Sequence, residues 1–142
     1  MGQQQLLLLV LGIVIVGLAV VVGIQAFGEN QKKANADAIV NDVIRIASDA
    51  QAWNLKPTAF GGGNNTFTGV DLQKLGYTAT GSGAAMNYNN LNGDFRITAV
   101  APGSITIVGC NAARGNRVQA VVSGTGPSDI TTTVTNVTAC EW

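Results

Sequence analysis

The chain of 142 residues carries 8 Lys+Arg, 8 Asp+Glu and no His, so its formal net charge is zero. This length allows one ordinary domain, or a small domain with an appendage. Electrostatic capture of nucleic acid needs a basic face, and His is the commonest general base and metal ligand at neutral pH. The composition therefore argues against a specific nucleic-acid partner, a metal site, a cofactor and an enzyme.

The first 28 residues carry no charged side chain, and residues 6–24 form a run of 19 without a polar one. As a helix this run would be about 28 Å long, close to the ~30 Å hydrocarbon core of a bilayer. A cleaved secretory signal usually has a basic start, whereas residues 1–5 contain no Lys or Arg. A plain single-pass anchor remains open. In a third interpretation, the segment is first a membrane anchor and later forms contacts within an assembly.

An amphipathic helical pattern continues from about residue 30 to residue 54, and no proline precedes Pro57. The simplest prediction is one helix of roughly 50 residues, about 75 Å long. A compact body of this size has a radius of gyration of about 15 Å, so we expect the apolar half of the helix to protrude. The face predicted to be buried has apolar residues at three- and four-residue spacing: Ala36, Ile39, Val40, Val43, Ile44, Ile46, Ala47, Ala50 and Trp53.

Three glycines, Gly12, Gly17 and Gly23, lie inside the apolar run. Glycine permits close contact between helices, and it also allows part of a helix to adopt a more extended backbone. We therefore consider these positions as candidates for helix flexibility. The plainer interpretation is that glycine is simply common in membrane helices.

After Pro57 the composition changes, and residues 55–93 are rich in residues typical of loops. From Asp94 onward a period-two pattern begins, in which Phe95 and Ile97 alternate with polar residues. The spacing of the following turns predicts about four antiparallel strands, with an apolar face packed on the amphipathic half of the helix. The predicted fold class is α+β. The predicted division is an apolar helix 1–28 and a head 29–142, the latter containing a helix 29–54, loops 55–93 and a sheet 94–142.

Cys110 and Cys140 are the only cysteines. They form no C-x-x-C pair and have no His to complete a zinc site. A disulfide between them would close a loop of about 30 residues and stabilise the fold by roughly 3–4 kcal/mol. We therefore predict a Cys110–Cys140 disulfide and an oxidising compartment, with two buried free thiols as the alternative.

The order of these features resembles a type IV pilin: a short polar start, an apolar helix, an amphipathic continuation, a connecting loop, a sheet and a C-terminal cysteine loop. Members of that family are cleaved by a prepilin peptidase and N-methylated at the new first residue, which the resemblance places at Met1. The family usually has a glutamate at the fifth mature position, where this chain has Gln5. A neutral amide can still accept a hydrogen bond from a neighbour's amino terminus, but forms no ion pair.

The resemblance implies a subunit that polymerises into an extracellular filament serving adhesion, motility or surface attachment. Its implied partners are many copies of itself, the inner membrane before assembly, the prepilin peptidase and the pilus assembly machinery. The family's helix-breaking proline is missing, so Gly12, Gly17 or Gly23 would supply the flexibility. The residues expected to form the assembly surface are Gln5, Leu6, Leu7, Leu8, Leu9, Val10, Leu11, Ile13, Val14, Ile15, Val16 and Leu18.

Two other classes of protein fit the same sequence. A pseudopilin of a secretion system shares the architecture but builds only a short piston. A membrane-anchored binding module would carry an extracytoplasmic sheet domain and act as a monomer. An enzyme is the remaining alternative, and no set of catalytic residues is apparent in the sequence.

Overall fold

The computed structural model describes residues 2–142, so the predicted processing at Met1 lies outside the described residues. The chain divides into two compact units, the first ending at Ala34 and the second being Asn35–Trp142. Their fold class is α+β, as predicted. Within residues 2–142 the elements are one α-helix, α1 (Gly2–Leu55), three short 3-10 helices, and six strands: β1 (Ala79–Thr80), β2 (Asn87–Asn89), β3 (Asp94–Ala101), β4 (Ser104–Asn111), β5 (Asn116–Val122) and β6 (Ile130–Asn136).

The six strands form one sheet in the order β1-β2-β3-β4-β5-β6, and every neighbouring pair is antiparallel. The meander is as predicted, but the prediction of about four strands was too low. The additional strands β1 and β2 have only two and three residues and lie in the segment predicted to be loop. A period-two pattern needs at least about four residues to be recognised, so neither strand was detectable.

The core of the second unit lies between α1 and one face of the sheet. The helix contributes residues at three- and four-residue spacing, and the strands contribute alternate residues such as Phe95, Ile107 and Val118. Ile44 was predicted to lie on the buried face of α1 but is 38% exposed, because it lies at the edge of that face. The buried helix residues are Ile39, Val43, Ile46, Ala47, Ala50, Trp53 and Asn54.

A glycine permits the closest approach of helix and sheet. A Cβ added at Gly109 of β4 would lie 2.7 Å from Ile39 Cγ2 and 2.8 Å from Val43 Cγ2 on α1. It would also lie 2.8 Å from Phe95 Cε1 on the neighbouring strand β3. Such distances are shorter than van der Waals contact, so a side chain at position 109 would force the two layers apart.

Candidate assembly surface

The apolar segment, residues 6–24, lies in the first unit and is helical throughout. All the residues predicted to form the assembly surface lie on α1, and every one of them is exposed, including Gln5. The large apolar side chains from Leu6 to Phe27 are each 51–72% exposed. They surround the helix on all sides, so the segment has no polar face to turn toward water.

Helix α1 contains one stretch long and apolar enough to cross a membrane, and none of that stretch is buried within the chain. Burying a large aliphatic side chain is worth about 1.5–3 kcal/mol relative to leaving it in water. Soluble monomers rarely expose continuous apolar patches larger than a few hundred Å². Within the described residues nothing covers the apolar segment, so its side chains are available for contact with lipid or with another protein.

The three candidate flexibility glycines lie within the same helix. A Cβ added at Gly12, Gly17 or Gly23 would meet nothing within 4 Å outside the local helix backbone. None of them therefore serves a contact within the chain. The structure places them on the same exposed surface as the apolar side chains.

In the second unit, Cys110 and Cys140 form a disulfide, as expected from the sequence. Cys110 is fully buried in β4, whereas Cys140 follows the last strand, so the bond ties the C-terminal residues to the sheet. Trp142 lies under the guanidinium of Arg96, whose Cζ is 4.4 Å from the ring centroid. The backbone carbonyl of Glu141 accepts a hydrogen bond from Arg117 Nε at 3.3 Å.

Tyr77 connects the loop region to α1. Its hydroxyl donates a hydrogen bond to Asp49 Oδ2, and its ring lies 5.0 Å from that of Tyr88. Burial, and then the hydrogen bond to the Asp49 carboxylate, raise the pKa of Tyr77 well above its ordinary value. The phenol is therefore neutral throughout the physiological range, and its role is to position the loop.

The turn between β2 and β3 is held by five polar side chains, which we call the asparagine clamp: Asn35, Asp42, Asn90, Asn92 and Asn111. Asp42 Oδ2 accepts from Asn90 Nδ2 at 3.0 Å and from Asn92 Nδ2 at 2.7 Å. The carbonyl of Asn92 accepts from Asn35 Nδ2 at 3.0 Å and from Asn111 Nδ2 at 2.8 Å. The clamp thus joins the turn to both α1 and β4.

Sequence reasoning missed the clamp, because its members lie up to 76 positions apart and share no local pattern. One signal was available: residues 89–93 place a single leucine, Leu91, between asparagines and a glycine. Such a segment predicts a turn with one apolar side chain at its tip. The structure shows Leu91 fully exposed.

No known protein-family model, curated protein or solved structure matches this chain. Among residues 2–142 there is no cluster of three or more His, Cys, Asp or Glu side chains placed to hold a metal ion. The architecture is nonetheless pilin-like: a long N-terminal helix with an apolar first half, an antiparallel sheet and a disulfide near the C-terminus.

Proposed function

We propose that this chain is a structural subunit, not an enzyme, which polymerises through its apolar segment into an extracellular filament of the type IV pilus kind. The observation that carries the proposal is the apolar segment itself, whose side chains are exposed on every side of α1. The second unit has its own core, which begins at Ile39 and contains no residue of the apolar segment. The segment is therefore available for contacts outside the chain.

In this proposal the inner membrane holds the apolar segment before assembly, with the second unit outside the cytoplasm. During assembly, contacts with lipid are exchanged for contacts with the same segment of neighbouring copies. Lipid and leucine are about equally apolar, so packing drives this exchange more than exclusion of water does. Once the filament is in water, dissociation would expose the apolar side chains of the segment, which strongly opposes it.

The polymer would be a helical filament, because a head-to-tail contact that does not close into a ring repeats indefinitely. The prepilin peptidase and the pilus assembly machinery belong to the proposal as partners, and methylation of Met1 would follow cleavage. Oxidising conditions outside the cytoplasm suit the Cys110–Cys140 disulfide. The filament would serve adhesion, motility or surface attachment.

The alternatives differ in what the cell surface carries. A pseudopilin would form only a short piston, so long filaments containing this chain would be absent from the cell surface. An anchored binding module would be extracted by detergent as a stable monomer, and producing cells would carry no filaments. Long filaments in material sheared from the cells would exclude both.

The test uses two matched substitutions on the exposed surface of α1. Ala19 lies inside the apolar segment, and Ala34 lies on the same helix beyond it. Ala19→Asp introduces a charge that costs about 2.5–3.5 kcal/mol at the centre of a membrane helix, whereas Ala34→Asp places the same charge in a polar stretch. Both substitutions have the same effect on intrinsic helix propensity.

Sheared cell-surface material would be examined by electron microscopy, and the subunit identified by its mass. We expect long filaments from cells producing the original chain or Ala34→Asp, and none from cells producing Ala19→Asp. Absence of filaments with the original chain, or normal filaments with Ala19→Asp, would refute the proposed function.

A further inference from the structure

Strand β6 ends the sheet, and within residues 2–142 no strand lies beyond it. The ladder between β5 and β6 continues past both ends of the strand in an unbroken register. Val137 N–H donates to the Gly115 carbonyl at 3.0 Å, and Ser123 N–H donates to the Asp129 carbonyl at 2.9 Å. In an antiparallel pair, hydrogen-bonded and non-hydrogen-bonded residues alternate along each strand. The odd-numbered residues of β6 therefore bond to β5, and the even-numbered ones direct their N–H and C=O groups away from it.

These even-numbered residues form what we call the free edge of β6: Ile130, Thr132, Val134 and Asn136. Every residue from 131 to 136 is exposed, so neither α1 nor a loop covers this strand. Val134 illustrates the point, because it lies opposite Val118, a fully buried core residue, and is itself 51% exposed. The backbone groups of the free edge are therefore open to solvent.

The segments that flank β6 lead away from the free edge. Before the strand, Gln51 Nε2 donates hydrogen bonds to the carbonyls of Gly124 and Gly126, both at 2.9 Å, which holds this loop at α1. After the strand, the disulfide draws Cys140 back to β4. A second polypeptide could thus approach the free edge without displacing either segment.

The strand also lacks the features that usually keep a sheet edge from pairing. Natural edge strands are typically short, or carry charged residues or proline. Residues 130–139 contain no charged residue, proline or glycine, and consist mainly of Thr, Val and Ile, which favour strands. The opposite edge of the sheet is β1, which has only two residues. The free edge of β6 is therefore the place where this sheet can add a strand.

We propose that a second copy of the chain adds its own β6 to this edge, antiparallel, about a two-fold axis at Thr133. This register pairs Ile130 with Asn136 and Thr132 with Val134, in both directions. Each such pair exchanges two backbone hydrogen bonds, so every free-edge residue of both copies is satisfied. Moving the axis by one residue would leave one free-edge residue of each copy without a partner on the other β6. The strand is thus its own complement.

The side chains agree with this register. Thr131 lies opposite Thr135 of the second copy, and Thr133 lies opposite itself, all on the sheet face that points away from α1. On the other face, Val134 lies opposite Thr132. Pairs of threonine and of β-branched residues across two strands are stabilising, whereas like charges opposite each other are not. No charged residue is present in β6 to oppose the pairing.

This contact goes beyond the proposed function. A two-fold contact uses the same surface on both copies and closes on itself, so it does not propagate along a filament. In the proposed filament it would link subunits of two adjacent filaments, and the dispersed chain can form it without any filament. It can therefore be tested separately from polymerisation.

The first test compares three variants of the full-length chain in mild detergent: Thr131→Cys, Thr133→Cys and Thr135→Cys. The described residues contain no free cysteine, so each variant has a single reactive thiol. Residues opposite each other in a non-hydrogen-bonded pair have Cα atoms about 4.5 Å apart, within the roughly 4.4–6.8 Å that a disulfide spans. Two copies of residue 131, or of residue 135, would be about 14 Å apart along the strand.

Under mild oxidation, we expect Thr133→Cys to form covalent dimers at least about tenfold faster than Thr131→Cys or Thr135→Cys. A mixture of Thr131→Cys and Thr135→Cys should form mixed dimers faster than either variant forms dimers alone. Peptide mapping would verify that the native disulfide is kept. Equal rates for the three variants would indicate random collision or a parallel pairing, and either result would overturn the proposal.

The second test removes one backbone donor of the free edge in the Thr133→Cys background. Val134→Pro deletes an N–H that points away from β5, so the fold keeps its own ladder and the melting temperature of the dispersed chain should change little. The bond to the second copy is lost, so dimer formation should fall to the rate of the Thr131→Cys control. Val134→Ala keeps this N–H and should retain fast dimer formation.

A dimer rate that Val134→Pro leaves unchanged would overturn strand pairing as the cause. Loss of the dimer with Val134→Ala as well as with Val134→Pro would do the same, because the backbone donor would then not be decisive. Absence of filaments from producing cells would defeat the proposed function and leave this contact standing. Absence of the specific dimer would defeat this contact alone.

Discussion

Two carboxylates of α1 each hold a segment that has little secondary structure of its own. Asp49 accepts a hydrogen bond from Tyr77 in the loop region, and Asp42 accepts two from the turn that carries Leu91. A hydrogen bond to a charged group contributes about 1.5–3 kcal/mol. Single polar residues on the helix therefore order loops whose sequence alone predicts only irregular structure.

The tyrosine contact predicts how stability depends on alkaline pH. Burial and the Asp49 hydrogen bond raise the pKa of Tyr77 in the folded state above its ordinary value of about 10. The folded chain therefore holds this proton more tightly than the unfolded chain does. The resulting stabilisation is fully present below about pH 10 and is lost as the pH rises toward the folded-state pKa.

Tyr77→Phe removes this titration, together with the hydrogen bond. We expect the variant to be about 1.5–3 kcal/mol less stable than the original at pH 8, because the bond to a charged carboxylate is lost, with a difference that shrinks above pH 10. Urea denaturation of the detergent-dispersed chain across this range measures it. Parallel pH profiles of the two proteins would contradict the assignment.

At the scale of elements, the helix and the sheet were predictable to different degrees. The three- and four-residue spacing of apolar residues identified the buried face of α1, and alternation identified β3, β4 and β5. Helical and strand periodicity are strong signals when an element is long and one face is buried. The strand β6 was predicted from its content of Thr and Val and not from alternation, because its residues after Ile130 are exposed on both faces.

The close contact between these elements at Gly109 predicts a large effect from one methyl group. Gly109→Ala should destabilise the fold by about 1–3 kcal/mol, because the new Cβ would overlap Ile39, Val43 and Phe95. Gly103→Ala is the matched control, since a Cβ there would meet nothing within 4 Å. It should change stability by less than about 0.5 kcal/mol.

Chemical denaturation of both glycine variants, followed by circular dichroism, provides the comparison. If Gly109→Ala proved as stable as Gly103→Ala, helix and sheet would not approach each other as closely as described.

The disulfide gives a second prediction at this scale. It joins residues 30 positions apart and ties the C-terminus to β4. In the chain-entropy model, its loss costs about 3–4 kcal/mol. The double variant Cys110→Ala, Cys140→Ser should therefore unfold at a markedly lower guanidinium concentration than the oxidised original. Reduction of the original should reproduce this shift, whereas equal stability of all three samples would show that the bond contributes nothing.

At the scale of the whole molecule, the sequence predicted the α+β class, the meander and an apolar helix that the chain does not bury. These features follow from composition and periodicity along the chain. The asparagine clamp and the position of Leu91 could not be predicted, because they depend on which distant residues the fold brings together. The predicted number of strands was too low for a related reason: β1 and β2 are too short to show a period-two pattern.

The apolar segment is central to the account, since the proposed filament exists only if copies of this segment cover one another. This contact requires no chemistry beyond packing of apolar side chains. The account therefore depends on where this segment lies in the assembled polymer.

The most direct measurement is an electron cryo-microscopy map of filaments sheared from producing cells, at a resolution that traces the backbone. The account predicts that residues 6–24 of neighbouring copies pack against one another along the filament axis, with residues 35–142 outside. A filament whose axis is formed by residues 35–142, with residues 6–24 at its periphery, would contradict it.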